Sequence, residues 1–142
     1  MKEYSRHILI AFLGGLLAAS VLSILSYLIF DTAGIKKPFP PTILGLFFHF
    51  LILNAFIEEG VKFLLIRKNI GRYPYGYLLG FGFGVGEVLL NHPMSEWWRG
   101  SGCILLHTLT SGIIAYFIIK KKPVLGLVIA ILIHLAYNYL VL

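Results

Sequence analysis

Long apolar runs alternate with short polar segments along the whole chain, and each run is long enough to form a helix. About 20 apolar residues in a helix cross the hydrocarbon core of a bilayer. The polar segments between the runs carry most of the prolines and basic residues, and one contains the pair Trp97-Trp98, which suits the lipid headgroup layer. The predicted fold is therefore all-α, a single membrane-embedded domain over residues 1–142 with about five transmembrane helices. The predicted spans are residues 8–30, 42–66, 75–90, 101–119 and 124–142.

Composition supports a membrane protein and excludes several other classes. Hydrophobic residues make up 58% of the chain and charged residues only 13%, too few charges to cover the surface of a soluble domain. The net charge of +6 does not indicate a nucleic-acid partner, because the basic residues cluster at the ends of apolar runs. The single cysteine, Cys103, excludes an internal disulfide and a CxxC metal site, and is interpreted as a small packing residue.

The distribution of basic residues also predicts an orientation. With the N-terminus inside, more lysine and arginine residues fall on the cytoplasmic side than on the outer side. The pair Lys36-Lys37 and Arg99 lie outside in this arrangement, and the lysine pair argues against it. The balance favours a cytoplasmic N-terminus. The residues counted as inside are Lys2, Arg6, Arg67, Lys68, Arg72 and Lys120 to Lys122.

Ionisable and amide side chains interrupt four of the predicted spans. Insertion scales put the cost of a charged side chain near the bilayer midplane at about 2.5–3.5 kcal/mol, so such groups are kept mainly where they face one another or a wet cavity. At about 1.5 Å of rise per residue, Glu87, His107 and His134 fall within roughly two helical turns of one depth. We therefore expect one shared polar site. Its predicted members are Glu58, Glu59, Lys62, Glu87, His107, His134 and Asn138.

The second span carries the strongest signal for chemistry. Glu58 and Lys62 are four residues apart, so they share a helix face and can form an ion pair, whereas Glu59 points about 100° away. Two adjacent carboxylates in a poorly solvated layer cannot both ionise at low cost, and a carboxylate that accepts a proton near neutral pH suits a general base. The alternative is that Glu58 and Glu59 lie at the inner interface and extend toward water.

The histidines have a structural and a functional interpretation. His134 and Asn138 share a face, so Asn138 either fixes the imidazole tautomer or donates to an oxyanion. The structural alternative for this pair, and for His107, is hydrogen bonding between membrane helices. His7, His49 and His92 are interpreted as peripheral, with His49 left as a packing or pore residue.

In chain order these residues form four short motifs: Glu58-Glu59-x-x-Lys62, Phe83-x-x-x-Glu87, His107, and His134-x-x-x-Asn138. This order resembles the PrsW family of intramembrane proteases, which shares a superfamily with the CAAX prenyl proteases and bacteriocin-immunity proteins. The resemblance covers residues 42–142. The CAAX branch is less similar, since it usually has histidine where Glu87 stands. The chain departs from the family in having only about five spans.

The resemblance implies an intramembrane endopeptidase that cleaves a membrane-anchored protein or peptide, regulatory proteins such as anti-sigma factors being one such substrate. It assigns general-base catalysis to Glu58 or Glu59, water activation or protonation of the leaving amine to His107, and oxyanion stabilisation to His134 and Asn138. Lys62 and Glu87 would support them. Because the family was named as metalloproteases, Glu58, His107 and His134 form a possible zinc set. The HExxH spacing is absent, however, and a metal-free mechanism fits the same residues.

Two other functions remain open at this point. Buried glutamate and histidine side chains also serve as proton relays, as in a small proton-coupled transporter, although no inverted repeat is evident. An inactive scaffold is the third possibility, because the superfamily also resembles the Aph-type subunit of γ-secretase, which is not itself the protease.

Overall fold

The computed structural model describes the backbone of residues 2–32, 44–69, 73–91 and 97–141, and the side chains of 5–25, 28, 54–69, 74–90 and 98–140. Over these residues the chain forms five helices and no strand, which confirms the all-α fold. Each helix coincides with one predicted apolar run, and α1 and α4 extend beyond theirs at the N-terminal end. The helices are α1 (Lys2–Thr32), α2 (Leu44–Lys68), α3 (Tyr73–Asn91), α4 (Trp97–Ile119) and α5 (Pro123–Val141).

Three helices among the described residues are long and apolar enough to cross a bilayer. They contain the stretches Ser5–Leu25, Trp98–Ile119 and Pro123–Leu140. The chain is therefore an integral membrane protein. The predictions that α2 and α3 also cross, and that the N-terminus is cytoplasmic, stay predictions. Lys36, Lys37 and His92 and the side chain of His49 lie outside the described residues.

The distribution of side chains is the reverse of a soluble protein. Apolar side chains that recur along α1, such as Leu9, Leu13 and Leu17, are exposed, as lipid-facing residues would be. Ionisable side chains are buried instead, and Glu59 and Lys62 both have 0% relative exposure. Since a buried charge is tolerated when it is paired and hydrogen-bonded, this arrangement indicates a polar interior shielded by an apolar surface.

Glycines bring α1 and α3 into backbone contact. A Cβ atom built on Gly15 would collide with the backbone of Leu79 and Phe83, and one built on Gly82 would collide with the carbonyl of Phe12. Small residues at such crossings let membrane helices approach closely and gain van der Waals contact. The α1–α3 pair is therefore closely packed, through a face of α3 different from the one that meets α4.

We expect Gly15→Ala to destabilise the protein by about 1–3 kcal/mol, because its methyl group overlaps backbone atoms that cannot rotate away. The matched control is Gly14→Ala, since a Cβ there meets nothing within 4 Å. Reversible unfolding in mixed micelles, followed by circular dichroism, measures both. Equal stability of the two variants would contradict close α1–α3 packing.

The turn between α4 and α5 aligns the two histidine-bearing helices. Lys121 adopts φ 58°, and Lys122 N donates to Phe117 O at 2.8 Å while Lys121 N donates to Ile118 O at 3.0 Å. These two bonds form a Schellman cap, after which Pro123 opens α5. The hairpin is antiparallel, so His107 and His134, which lie at comparable distances from the turn, come to nearly the same height.

Close packing of α3 on α4 completes the frame around these histidines. A Cβ atom built on Gly80 would collide with the carbonyl oxygen of His107, and one built on Gly84 would approach the Cα of Ile104. Because α3 runs this close to the turn of α4 that bears His107, Glu87 reaches the imidazole from the neighbouring helix. The backbone approach therefore positions an acid beside the histidine.

Candidate functional site

Side chains from four helices meet in one buried polar cluster. α2 contributes the two glutamates and the lysine, α3 contributes one glutamate, and α4 and α5 contribute one histidine each. The structure thus brings together six of the seven sequence-predicted residues through direct contacts, and the seventh, Asn138, lines the adjoining cavity. The members in contact are Glu58, Glu59, Lys62, Glu87, His107 and His134.

Lys62 occupies the centre of the cluster. Its Nζ lies 2.6 Å from Glu59 Oε1, 2.9 Å from His107 Nδ1 and 3.1 Å from Thr110 Oγ1. The same ammonium lies 5.1 Å from the ring centroid of Phe83, which also packs on the His107 imidazole at 4.8 Å. The phenylalanine of the Phe-x-x-x-Glu motif therefore covers the lysine and the histidine together.

The possible ion pair between Glu58 and Lys62 is not the one that forms, because the partner of Lys62 is Glu59. Positions three and four residues apart on a helix both lie on the same side, so spacing alone does not choose between them. The choice is made by α4 and α5, which surround Glu59 with further donors. Its Oε1 also accepts from Thr110 Oγ1 at 3.2 Å and from His134 Nδ1 at 2.8 Å.

These contacts give Glu59 an orienting role. Three donors converge on its Oε1 atom, and its carboxylate neutralises the buried ammonium of Lys62. Because Nδ1 of His134 donates to this carboxylate, the neutral ring carries its lone pair on Nε2. Glu59 therefore fixes both the position and the tautomer of His134.

Glu58 faces the other side of the two imidazoles. Its Oε2 lies 3.7 Å from His134 Nε2 and 4.0 Å from His107 Nε2. The oxygen is buried, and no group among the described residues donates to it. Glu59 Oε2 is likewise buried without a donor among the described residues, but the oxygen that lies beside both Nε2 atoms is Glu58 Oε2.

His107 is held from both ring nitrogens. Nδ1 contacts Lys62, and Nε2 contacts Glu87 Oε2. Cys103 Sγ donates to the same Glu87 oxygen at 3.3 Å. The interpretation of Cys103 as a packing residue is therefore incomplete, because its thiol belongs to the polar cluster.

A cavity of about 150 Å³ adjoins these groups. It is roomy enough for several water molecules, each of which needs about 10–15 Å³ of such space and a few polar partners. Tyr137, whose hydroxyl donates to the carbonyl oxygen of Arg99 at 3.2 Å, forms part of its wall. The buried cluster therefore borders a space that can hold water or a small part of a substrate. The lining residues are Glu87, Arg99, Cys103, Leu106, His107, His134, Tyr137 and Asn138.

Sequence reasoning missed several of these residues. Thr110 lies three residues after His107, so the i,i+3 spacing on an apolar helix was a usable signal for it. Arg99 and Tyr137 carry no such local signal, since only the packing of α4 on α5 brings them to the cavity. His7 lies near the start of α1, and its peripheral interpretation stays a prediction.

The possible zinc set fits only in part. Ligand atoms of Glu58, His107 and His134 lie within 4.8 Å of one another. His134 is suited to a metal, because its Nδ1–H donates to a carboxylate and leaves Nε2 free. His107 is not, because Lys62 donates to Nδ1 and the ring proton must then lie on Nε2. Zinc sites in proteins use at least three ligands, and the hydrogen bonds leave two.

We therefore expect the stability of the purified protein to be independent of zinc. Chelator and added zinc should each leave the unfolding midpoint unchanged, because binding to the folded state alone would raise it by mass action. Thermal unfolding in detergent with EDTA, and with zinc in place of EDTA, measures this. A zinc-dependent rise that His134→Ala abolishes would contradict the tautomer assigned to His107.

No family model matches the chain, and neither a curated protein nor a solved structure matches it. The chemistry of the cluster is therefore argued from its own contacts.

Proposed function

We propose that this protein is an intramembrane endopeptidase that hydrolyses a peptide bond of a membrane-anchored protein or peptide. One observation carries the proposal: Glu58 Oε2 lies 3.7 Å from Nε2 of His134, and His134 lines the cavity. Both atoms accept hydrogen bonds. A water molecule that donates to both would be oriented and ready to lose a proton to the carboxylate.

The proposed reaction is direct hydrolysis. The water oxygen forms a bond to the peptide carbonyl carbon while its proton passes to Glu58, and the carbonyl electron pair moves onto the oxygen. The tetrahedral intermediate then breaks its carbon–nitrogen bond, and the departing amine takes the proton from Glu58. Each step conserves charge and requires no other reactant, and the products are one new carboxyl group and one new amino group.

A donor for the oxyanion is also at hand. Asn138 lines the cavity with an amide NH₂, whereas the Nε2–H of His107 is already donated to Glu87 Oε2. Fixed donors of this kind typically contribute about 10²–10³-fold to the rate. His134 differs from the role that the family resemblance implies, because its neutral ring accepts at Nε2 and would hold water rather than the oxyanion.

Glu59 and Lys62 are proposed to hold the catalytic side chains in position. Glu59 Oε2 is also buried without a donor among the described residues, but the charge of Glu59 is matched by Lys62 at 2.6 Å, so Glu58 is proposed as the base. Membrane crossing by α2 and α3 is part of the proposal, since it would place the cluster in the lipid layer. A cytoplasmic N-terminus is also part of it. Substrates would be segments that enter this layer and expose a carbonyl to the cavity.

Cleavage in labelled water tests the proposed reaction. The protein is reconstituted in lipid nanodiscs with a panel of single-span peptides, and the products are analysed by mass spectrometry in H₂¹⁸O. We expect paired fragments, one of which carries a single labelled oxygen at its new carboxyl group. Proton-dependent solute uptake into liposomes with no cleavage would instead establish a transporter, and absence of both activities would favour a scaffold.

A further inference from the structure

The hydrogen bonds of Lys62 also constrain the imidazole of His107. An ammonium group offers three N–H donors and no acceptor. The three acceptors within reach are Glu59 Oε1, His107 Nδ1 and Thr110 Oγ1, and the side chain of Lys62 has 0% relative exposure. Each donor is therefore matched to one acceptor, and His107 Nδ1 has to accept.

We propose that Lys62 and Thr110 are positioning residues that hold His107 as its Nε2–H tautomer, opposite to the Nδ1–H tautomer of His134. Since a neutral imidazole carries one proton, a ring that accepts at Nδ1 bears the proton at Nε2. The neighbour of that nitrogen is Glu87 Oε2, a carboxylate oxygen that accepts it. For its catalytic consequence, this inference rests on the proposed function.

The two rings are therefore opposite tautomers, and they lie beside each other in the polar cluster. They meet edge to face, with centroids 5.2 Å apart and planes at 79°. His134 presents a lone pair toward Glu58, while His107 presents an N–H. One ring is thus equipped to hold the attacking water, while the single N–H of the other is held by Glu87 Oε2.

Thr110 stabilises this assignment through its hydroxyl group. Its Oγ1 accepts from Lys62 and lies 3.2 Å from Glu59 Oε1, to which it donates. The hydroxyl group therefore joins the lysine to the carboxylate that fixes His134. Loss of the hydroxyl frees one N–H of Lys62 and one lone pair of Glu59 in a buried site, where unmatched polar groups are costly.

Nuclear magnetic resonance of ¹⁵N-histidine reports the tautomers directly. In long-range ¹H–¹⁵N spectra of the protein in detergent, the signals of His107 and His134 are assigned with single His→Gln variants. We expect Nε2–H for His107 and Nδ1–H for His134. In Lys62→Met, the Nδ1 resonance of His107 should shift, because this nitrogen loses its donor while Glu87 still accepts from Nε2, and His134 should respond less. Lys120→Met, at an exposed lysine, is the matched control and should change neither ring.

A second pair of variants covers the case in which Lys62→Met does not fold. Thr110→Val removes the hydroxyl at nearly constant volume, whereas Thr110→Ser keeps it. We expect Thr110→Val to broaden or shift the His107 signals and to lower kcat by about 10²-fold with KM unchanged, as for a misplaced catalytic group. Thr110→Ser should restore both.

The outcomes separate this inference from the proposed function. Nδ1–H on His107 in the unmodified protein would overturn the inference, and so would a His107 Nδ1 resonance unchanged in both Lys62→Met and Thr110→Val. These spectra require no substrate. The expected tautomers without any peptide cleavage would therefore support the inference and count against the peptidase, whereas cleavage with other tautomers would do the reverse.

Discussion

Replacing Glu59 by glutamine is expected to lower the free energy of unfolding by about 3–5 kcal/mol, the usual cost of removing one partner from a buried ion pair. The side chain keeps its size, but Lys62 is left as a buried cation without its carboxylate at 2.6 Å. Thr110 and His134 also lose a charged acceptor. Unfolding in mixed micelles, followed by circular dichroism, measures the loss.

The adjacent residue provides the matched control for this prediction. Glu58→Gln removes the same charge one position earlier, yet no described group donates to the buried Glu58 oxygen Oε2. Its effect on stability should stay within about 1 kcal/mol, and could be favourable, since burial of an unpaired carboxylate is costly. Equal losses in the two variants would contradict the assignment of Lys62 to Glu59.

A double-mutant cycle isolates the pair itself. Lys62→Met alone leaves Glu59 uncompensated and should destabilise the protein strongly, whereas Glu59→Gln combined with Lys62→Met removes both charges. Uncharged replacements of buried ion pairs are often close to neutral. We therefore expect the double variant to be more stable than either single variant, so the coupling energy should exceed the larger single loss of about 3–5 kcal/mol. Additive losses would show that the two side chains act independently.

The sequence predicts the helices and the polar layer well, because both are set by simple physical limits. The bilayer fixes how long an apolar run must be, and the rise per residue fixes the depth of each side chain. Glu87, His107 and His134 share a depth in the prediction, and in the structure they belong to one cluster. Burying an unpaired charge in such a layer is costly. This cost favours an arrangement in which the ionisable side chains meet one another.

The detailed pairing could not be predicted from spacing. Glu58 and Glu59 both lie within one turn of Lys62, and the choice between them depends on donors that α4 and α5 bring from far along the chain. The same holds for Cys103, which reaches Glu87 only because α3 and α4 pack through glycines. Histidine tautomers are even harder to predict from the sequence, since they depend on every neighbour of the ring.

Replacing Glu58 by glutamine is expected to reduce kcat for peptide cleavage by about 10²–10⁴-fold, the usual contribution of a general base. Glutamine keeps the shape of the side chain but cannot take the proton of the attacking water. KM should be unchanged, because Glu58 is proposed to act on water rather than on the peptide. Cleavage of a membrane-anchored peptide in nanodiscs, followed by mass spectrometry, gives both constants.

Two comparisons distinguish the loss of a catalytic base from a disturbed site. The His107 and His134 tautomers should be preserved in Glu58→Gln, since neither ring depends on Glu58 for a hydrogen bond. Glu58→Asp keeps the charge but withdraws it by one methylene, so it should retain part of the activity. A different result would reassign the base: if Glu58→Gln kept its rate within about tenfold while His134→Gln lost it, the proton would go to His134 Nε2. Glu58 would then only orient the water, because the two acceptors lie 3.7 Å apart and one of them must take its proton.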